Sequence, residues 1–366
     1  MKRIVSILLL LSLILGLTGC GEGDGSSPGE VASVSTGLSS VSSMTVADAA
    51  ARIKTAVAAV LVGEDGRIRA CQLDEFETTA TLREGEVALD PDTRSNSEKL
   101  YEYGLVSASP IGREWFEQAA AFGDYVVGMT ADEVASLPLS DGKVQDTVLS
   151  GRCELDVTDF VEAITQAARS ATPRGASVGD VLSMTVSRTQ ESVAEDRLRV
   201  SFPLSAVTLT RDGAVSSCLV DVAEAELSVK DGAFTAKNGR FSANKAKRND
   251  LMVETASSES VGWFEQAAAF EKYVTGKTLT QIRATPLLNG RAAPDTELAE
   301  TCFIPVAALL DSVIKTIEAA SATGETAVTT TTTARAESSD SFADAVESVA
   351  ESWVDRAESL LSDITD

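Results

Sequence analysis

The 366-residue chain contains no histidine, and that absence removes a large share of protein chemistry. Without imidazole there is no Ser-His-Asp or Cys-His nucleophile pair, no His-ligated zinc and no imidazole base. No catalytic constellation is visible, and the reading is of a protein that is not an enzyme. Positive charge is scarce too: 31 Lys and Arg face 55 Asp and Glu, a formal net charge of −24. Nucleic-acid phosphates need a basic footprint, so a nucleic-acid partner is excluded. The five cysteines form no Cys-x-x-Cys pair, and no phosphate-cradling Gly-x-Gly-x-x-Gly follows a strand. Asp90-Pro91-Asp92, with Asn96 and Glu98, lacks the glycine of a calcium loop and has Arg94 where a ligand belongs. No metal is expected. After residue 17 no apolar run is long enough to cross a bilayer as a helix.

What is present suffices for globular cores: 44% of residues are hydrophobic, and the length suggests two domains of roughly 150 residues. The N-terminus is an address. Lys2 and Arg3 precede the aliphatic run Ile4 to Leu17, which at about 1.5 Å per residue spans about 21 Å, short for a crossing. Residues 1–19 therefore read as a secretory signal. The ending Leu17-Thr18-Gly19-Cys20 resembles the lipobox of bacterial lipoproteins. That resemblance implies that Cys20 is diacylated through its sulfur and begins the mature chain. The protein would then sit on the extracytoplasmic face of the cell membrane, held by lipid. So acidic a body is repelled by anionic headgroups. Residues 20–43, rich in Gly and Ser, are expected as a flexible linker reaching about 25–30 Å.

The body is written twice. Residues 113–128 read REWFEQAAAFGDYVVG and residues 261–276 read VGWFEQAAAFEKYVTG, identical at eleven of sixteen positions. Upstream, Val60, Asp65-Gly66, Cys71 and Asp74 match Val207, Asp212-Gly213, Cys218 and Asp221 at an offset of 147. Downstream, Cys153 matches Cys302 at 149. A period this long is a domain and not a solenoid unit.

Each copy is expected to be α+β. Apolar-rich runs flank Asp65-Gly66 and Asp212-Gly213, a strong hairpin signal. Second hairpins are expected around Glu84-Gly85 and Asp231-Gly232. Trp115, Ala119, Phe122 and Val126 form one helical stripe. Thr130-x-x-Glu133 and Thr278-x-x-Gln281 have capping-box form. Last helices are expected over 157–168 and 306–320. The order favours antiparallel sheets with helices on one face. The expected organisation is repeat 1 over 44–170, a linker over 171–178 and repeat 2 over 179–320. A Thr-rich stalk over 321–337 and an acidic amphipathic helix over 338–366 follow. Phe342, Val346, Val349, Trp353, Ala357, Leu360 and Ile364 make the apolar stripe of that helix, which suits a protein partner or self-association.

The order of strand, Asp-Gly hairpin, return strand and late Ser-Gly turn before a terminal helix is similar to the FMN-binding domain of bacterial membrane-associated electron carriers. In that family a Ser-Gly-Ala-Thr turn carries a threonine esterified to FMN phosphate. Here the slot reads Ser150-Gly151-Arg152-Cys153 and Ala299-Glu300-Thr301-Cys302. The resemblance implies FMN as an alternative cofactor, bound without a covalent link, and electron transfer as the alternative to a binding or scaffolding role.

Two further sets of residues stand out. Glu117, Gln118, Glu265 and Gln266 recur beside the Trp-Phe stripe and are candidate ligand contacts, or else caps of neighbouring loops. Cys71, Cys153, Cys218 and Cys302 recur as one pair per copy. In an oxidising compartment Cys71–Cys153 and Cys218–Cys302 are the favoured disulfides, ahead of two other connectivities. Each would close a loop of about 80 residues, a constraint of about 4 kcal/mol.

Overall fold

The computed structural model describes residues 32–322, apart from 48, 84–85, 195–196, 236–238, 248–249 and 255–259. The expectations for the signal, for Cys20, for residues 323–337 of the stalk and for the helix over 338–366 lie outside the described residues. The first half contains β1 (Ser33–Ala47), β2 (Ala50–Val62), β3 (Ile68–Arg83) and β4 (Glu86–Leu89). Helices α1 (Trp115–Tyr125) and α2 (Ala131–Ala135), a small hairpin β5 (Leu139–Ser140) and β6 (Lys143–Val144), and α3 (Thr158–Ser170) follow. The second half opens with β7 (Thr172–Ser177), β8 (Val181–Val186), β9 (Thr189–Ala194), β10 (Arg197–Leu209) and β11 (Val215–Lys230). Short elements follow: β12 (Ala233–Phe234), β13 (Gly239–Phe241), α4 (Asn244–Lys247), β14 (Met252–Glu254) and β15 (Ser260–Gly262). It ends with α5 (Trp263–Val274), α6 (Leu279–Arg283), β16 (Leu287–Leu288), β17 (Arg291–Ala292), α7 (Glu297–Thr301) and α8 (Ala307–Ala322). All strand pairings are antiparallel, and the class is α+β, as the patterning implies.

Both expected hairpin pairs form. Gly66 and Gly213 take φ of +73° and +79° at the tips of β2–β3 and β10–β11. Arg83 pairs with Glu86 across the next turn of the first half, and Lys230 with Ala233 in the second. The helix stripe Trp115, Ala119, Phe122 and Val126 is buried throughout. At Thr130 the capping box closes in both directions, and at Thr278 the backbone N–H donates to Gln281 Oε1 at 2.9 Å.

Burial of β2 on both faces decides the architecture. Its residues Ala51, Ile53, Val57, Ala59 and Leu61 join one core, while Ala56, Ala58, Val60 and Val62 join another. In β10, Val200, Phe202, Leu204 and Ala206 enter that same first core, and Val207 and Leu209 a third. Alternation along a strand sends successive side chains to opposite faces. The central core therefore lies between two sheets packed face to face, and each sheet carries its own helices outside. The result is four layers: helices α1 to α3, a sheet in the order β13-β1-β2-β3-β4, a sheet in the order β12-β11-β10-β8, and helices α5 to α8. Phe76 meets Phe202 across the middle with ring centres 5.6 Å apart, and Gln72 Nε2 donates to the Leu182 carbonyl at 2.8 Å.

Two expected linkers are structural. Residues 33–43 form most of β1, and 172–177 form β7, which pairs with β1. Several hydroxyls of β1 meet partners: Ser42 pairs with Thr55, Thr36 with Ser217 and Ser39 with Gln166. Gly37 is required because any Cβ there would overlap the Ala167 carbonyl oxygen of α3. The strand β13 of the second half also adds to β1 of the first, with Ser42 opposite Phe241. The two halves are consequently interlocked. Separating them would expose side chains such as Phe76, Phe202 and Leu204, each worth about 1.5–3 kcal/mol when buried.

Candidate functional site

The residues that recur between the halves are anchors. Gln118, 1% exposed, receives the Glu154 N–H on Oε1 at 2.7 Å and donates through Nε2 to the Arg113 carbonyl at 2.9 Å and to Ser109 Oγ. Gln266 receives the Phe303 N–H at 2.5 Å. Glu117 accepts from the Glu114 N–H at 2.7 Å and Glu265 from the Gly262 N–H at 3.3 Å, each satisfying the first turn of its helix. These four side chains bind this chain's own backbone: the glutamines hold the turns before the last helices, and the glutamates cap α1 and α5.

A second recurring pair was not singled out by sequence. Asp74 Oδ1 accepts from the N–H of Glu75 at 2.7 Å and of Ser97 at 3.0 Å. Asp221 Oδ1 accepts from the N–H of Val222 at 2.8 Å and of Lys245 at 3.0 Å. In each half the aspartate pins the returning chain to the strand. Burial pushes both carboxyls up to about 6, against the opposing pull of these hydrogen bonds.

No disulfide joins the four body cysteines in this structure. Cys71 and Cys153 share the core under α1 and α3, and Cys218 and Cys302 share its counterpart in the second half. Burial pushes the Cys153 and Cys302 thiols up to about 11, and Cys71 and Cys218 further still. Cys153, Cys218 and Cys302 pack as small buried hydrophobes, and Cys71 is partly buried beside them. In the FMN-binding resemblance Cys153 and Cys302 would stand where the flavin-bearing threonine does. At 8% and 2% exposure they sit within hydrophobic cores, so the slot does not fit a covalent phosphate ester.

The halves differ at one helix position that is buried in both. Gly123 of α1 is matched by Glu271 of α5, whose side chain is 1% exposed. Glu271 accepts from the Val220 N–H at 2.8 Å and from Arg174 Nη1 at 2.9 Å, and it pairs with Lys245. Burying a carboxylate is costly unless it is paired and hydrogen-bonded, and here it is both. Its partners Arg174, Lys245 and Val220 line a cleft of about 560 Å³. The opposite wall is the Leu38–Ser42 stretch of β1, with α3 contributing Glu162 and Gln166. Arg240 of β13 crosses the mouth, bonded to Asp159 at 2.6 Å and to Glu162. Ser40 Oγ is buried and finds no hydrogen-bond partner. A glutamate on the apolar side of an otherwise repeated helix was the sequence signal for this site. The sequence does not show that β1, β7 and β13 converge on it.

Among the described residues no group of three or more Cys, Asp and Glu side chains is placed to hold a metal. None of the described helices is long and apolar enough to cross a membrane. No protein-family model, curated protein or solved structure matches the chain.

Proposed function

We propose that this chain is a lipid-anchored binding protein of the bacterial envelope, acylated at Cys20 and displayed on the extracytoplasmic face. Its two halves are copies of one α+β domain, packed sheet against sheet, and the binding site is the cleft between β1, β7, β13 and α5. The observation that carries the binding role is the cleft itself, where a buried Glu271 holds Arg174 and Lys245 against an open polar wall. The anchor rests on Leu17-Thr18-Gly19-Cys20 after the apolar run. Residues 338–366 are a second element of the proposal, a partner-binding or self-associating helix.

The anchor is tested on protein isolated from its native membrane. Intact mass should show a diacylated chain starting at Cys20, and Cys20→Ala should release it or leave it unprocessed. An unmodified Cys20 in a protein that still fractionates with membranes would refute the proposal.

A further inference from the structure

The cleft offers more donors than acceptors. Arg174 spends Nη1 on Glu271 and Nε on Thr172 Oγ1, at 3.2 Å, leaving Nη2 for another partner. Lys245 Nζ spends one of its three N–H groups on Glu271. Two cations thus share one buried carboxylate. Of the lining acceptors, Asp221 Oδ1 takes two backbone N–H groups, Gln166 Oε1 takes Ser39 Oγ, and Glu162 takes Gln166 Nε2 and Arg240. A ligand that completes this site must bring acceptors. Leu38, Val41, Leu219, Phe241 and Phe264 line the remainder, so it must bring apolar surface too. A cleft of about 560 Å³ suits a small molecule.

We propose that the cleft binds one small organic anion, an apolar body with a single oxyanion head, the head seated between Arg174 and Lys245 and the body against Phe241 and Phe264. The proposal rests on the binding role given above and names its ligand class. It also fixes the stoichiometry at one per chain. In the first half Gly123 stands in place of Glu271, and the N–H held by Asp74 belongs to Ser97 where the second half has Lys245, so no matching pair of cations exists.

The test uses the full chain in phosphatidylcholine nanodiscs, titrated calorimetrically with 4-phenylbutyrate and with its neutral isostere 4-phenylbutanamide. The acid should bind one per chain and about tenfold more tightly than the amide, the scale of one charge-assisted contact. Lys245→Met and Arg174→Gln should erase that preference. Glu271→Gln should sharpen it about threefold or more, because it releases both cations from their internal partner. A role confined to holding the fold would make all three variants weaken binding alike. Equal affinity for acid and amide, or a Glu271→Gln change in the same direction as Lys245→Met, overturns the ligand class. Ala268→Trp, which fills the cleft from α5, separates the two readings. If it abolishes equal binding of acid and amide, the cleft is a binding site for another class. If neither compound saturates below about 10 mM, this proposal and the binding role both fall.

Discussion

Gly123 lies so close to Cys71 that a methyl group on its α-carbon would stand 2.9 Å from the Cys71 carbonyl oxygen. Helix α1 is thereby pressed onto β3 with no room for a side chain. In the second half Glu271 occupies the matching position and reaches the Val220 N–H of β11. One contact is closed by glycine and the other is opened by a charged side chain that needs partners.

Gly123→Ala should therefore destabilise the protein, although alanine is the better helix former by about 1 kcal/mol. The backbone oxygen cannot swing away as a flexible side chain would, so α1 or β3 must shift, and overpacking of this kind costs about 1–3 kcal/mol. A net loss of up to about 2 kcal/mol is expected in urea unfolding. A gain in stability would show that the helix–strand contact is looser than described.

The two recurring glutamines should differ in weight. Gln118→Ala strands the Glu154 N–H and the Arg113 carbonyl, while Gln266→Ala strands the Phe303 N–H. Each orphaned buried group costs about 1–3 kcal/mol. Gln118→Ala is therefore expected to be the more damaging substitution, by about one such increment. Equal effects in paired chemical denaturation would contradict this assignment of roles.

Much of this was legible in the sequence, and the misses share a cause. The hairpins around Asp65-Gly66 and Asp212-Gly213, the Trp115 stripe and the caps at Thr130 and Thr278 are local, so composition and spacing reveal them. β1 was hidden because its serines and Gly37 imitate a linker. Gly37 is there because α3 approaches so closely, and Thr55, Ser217 and Gln166 meet several of the strand's hydroxyls. The sheet-to-sheet packing did leave a mark. The unbroken run Ala56 to Val62 is what a strand buried on both faces requires, yet it resembles any apolar strand until its second neighbour is known. The cleft depends on β13 returning to β1 across some two hundred residues, a contact for which no local pattern exists.

The unbridged cysteines make a direct prediction. Native protein should resist alkylation at Cys153, Cys218 and Cys302, which are buried and whose raised pKa values keep them protonated near neutrality. After unfolding without reductant, all four body cysteines should label. Recovery of a Cys71–Cys153 or Cys218–Cys302 bridged peptide from freshly isolated protein would show the disulfides to be present instead.

The pinned aspartates set a pH dependence of unusual sign. An ordinary aspartate titrates near 3.8, whereas Asp74 and Asp221 in the fold titrate near 6 because burial penalises their charged form. Between those values the folded protein keeps a proton that the unfolded chain has released. The associated stability is fully present below about pH 4 and is lost as pH rises through about 6. Two units on one buried carboxyl correspond to a loss on the order of 2–3 kcal/mol. Exposed acids with lowered pKa, such as Asp65, Asp92 and Asp212, push the other way, so the whole protein's profile mixes both signs. The difference between wild type and Asp74→Asn isolates the effect. Asparagine keeps an oxygen for the Glu75 and Ser97 N–H groups but cannot ionise. Relative to wild type, Asp74→Asn should gain stability between pH 4.5 and pH 7.5, by about 1–3 kcal/mol in urea titrations at the two values. Asp221→Asn should gain by a similar amount, because its carboxyl is also pushed up to about 6 with the pull of Lys245 included. A difference that stays flat with pH, or that falls as pH rises, would mean that Asp74 is ionised at its ordinary pKa within the fold.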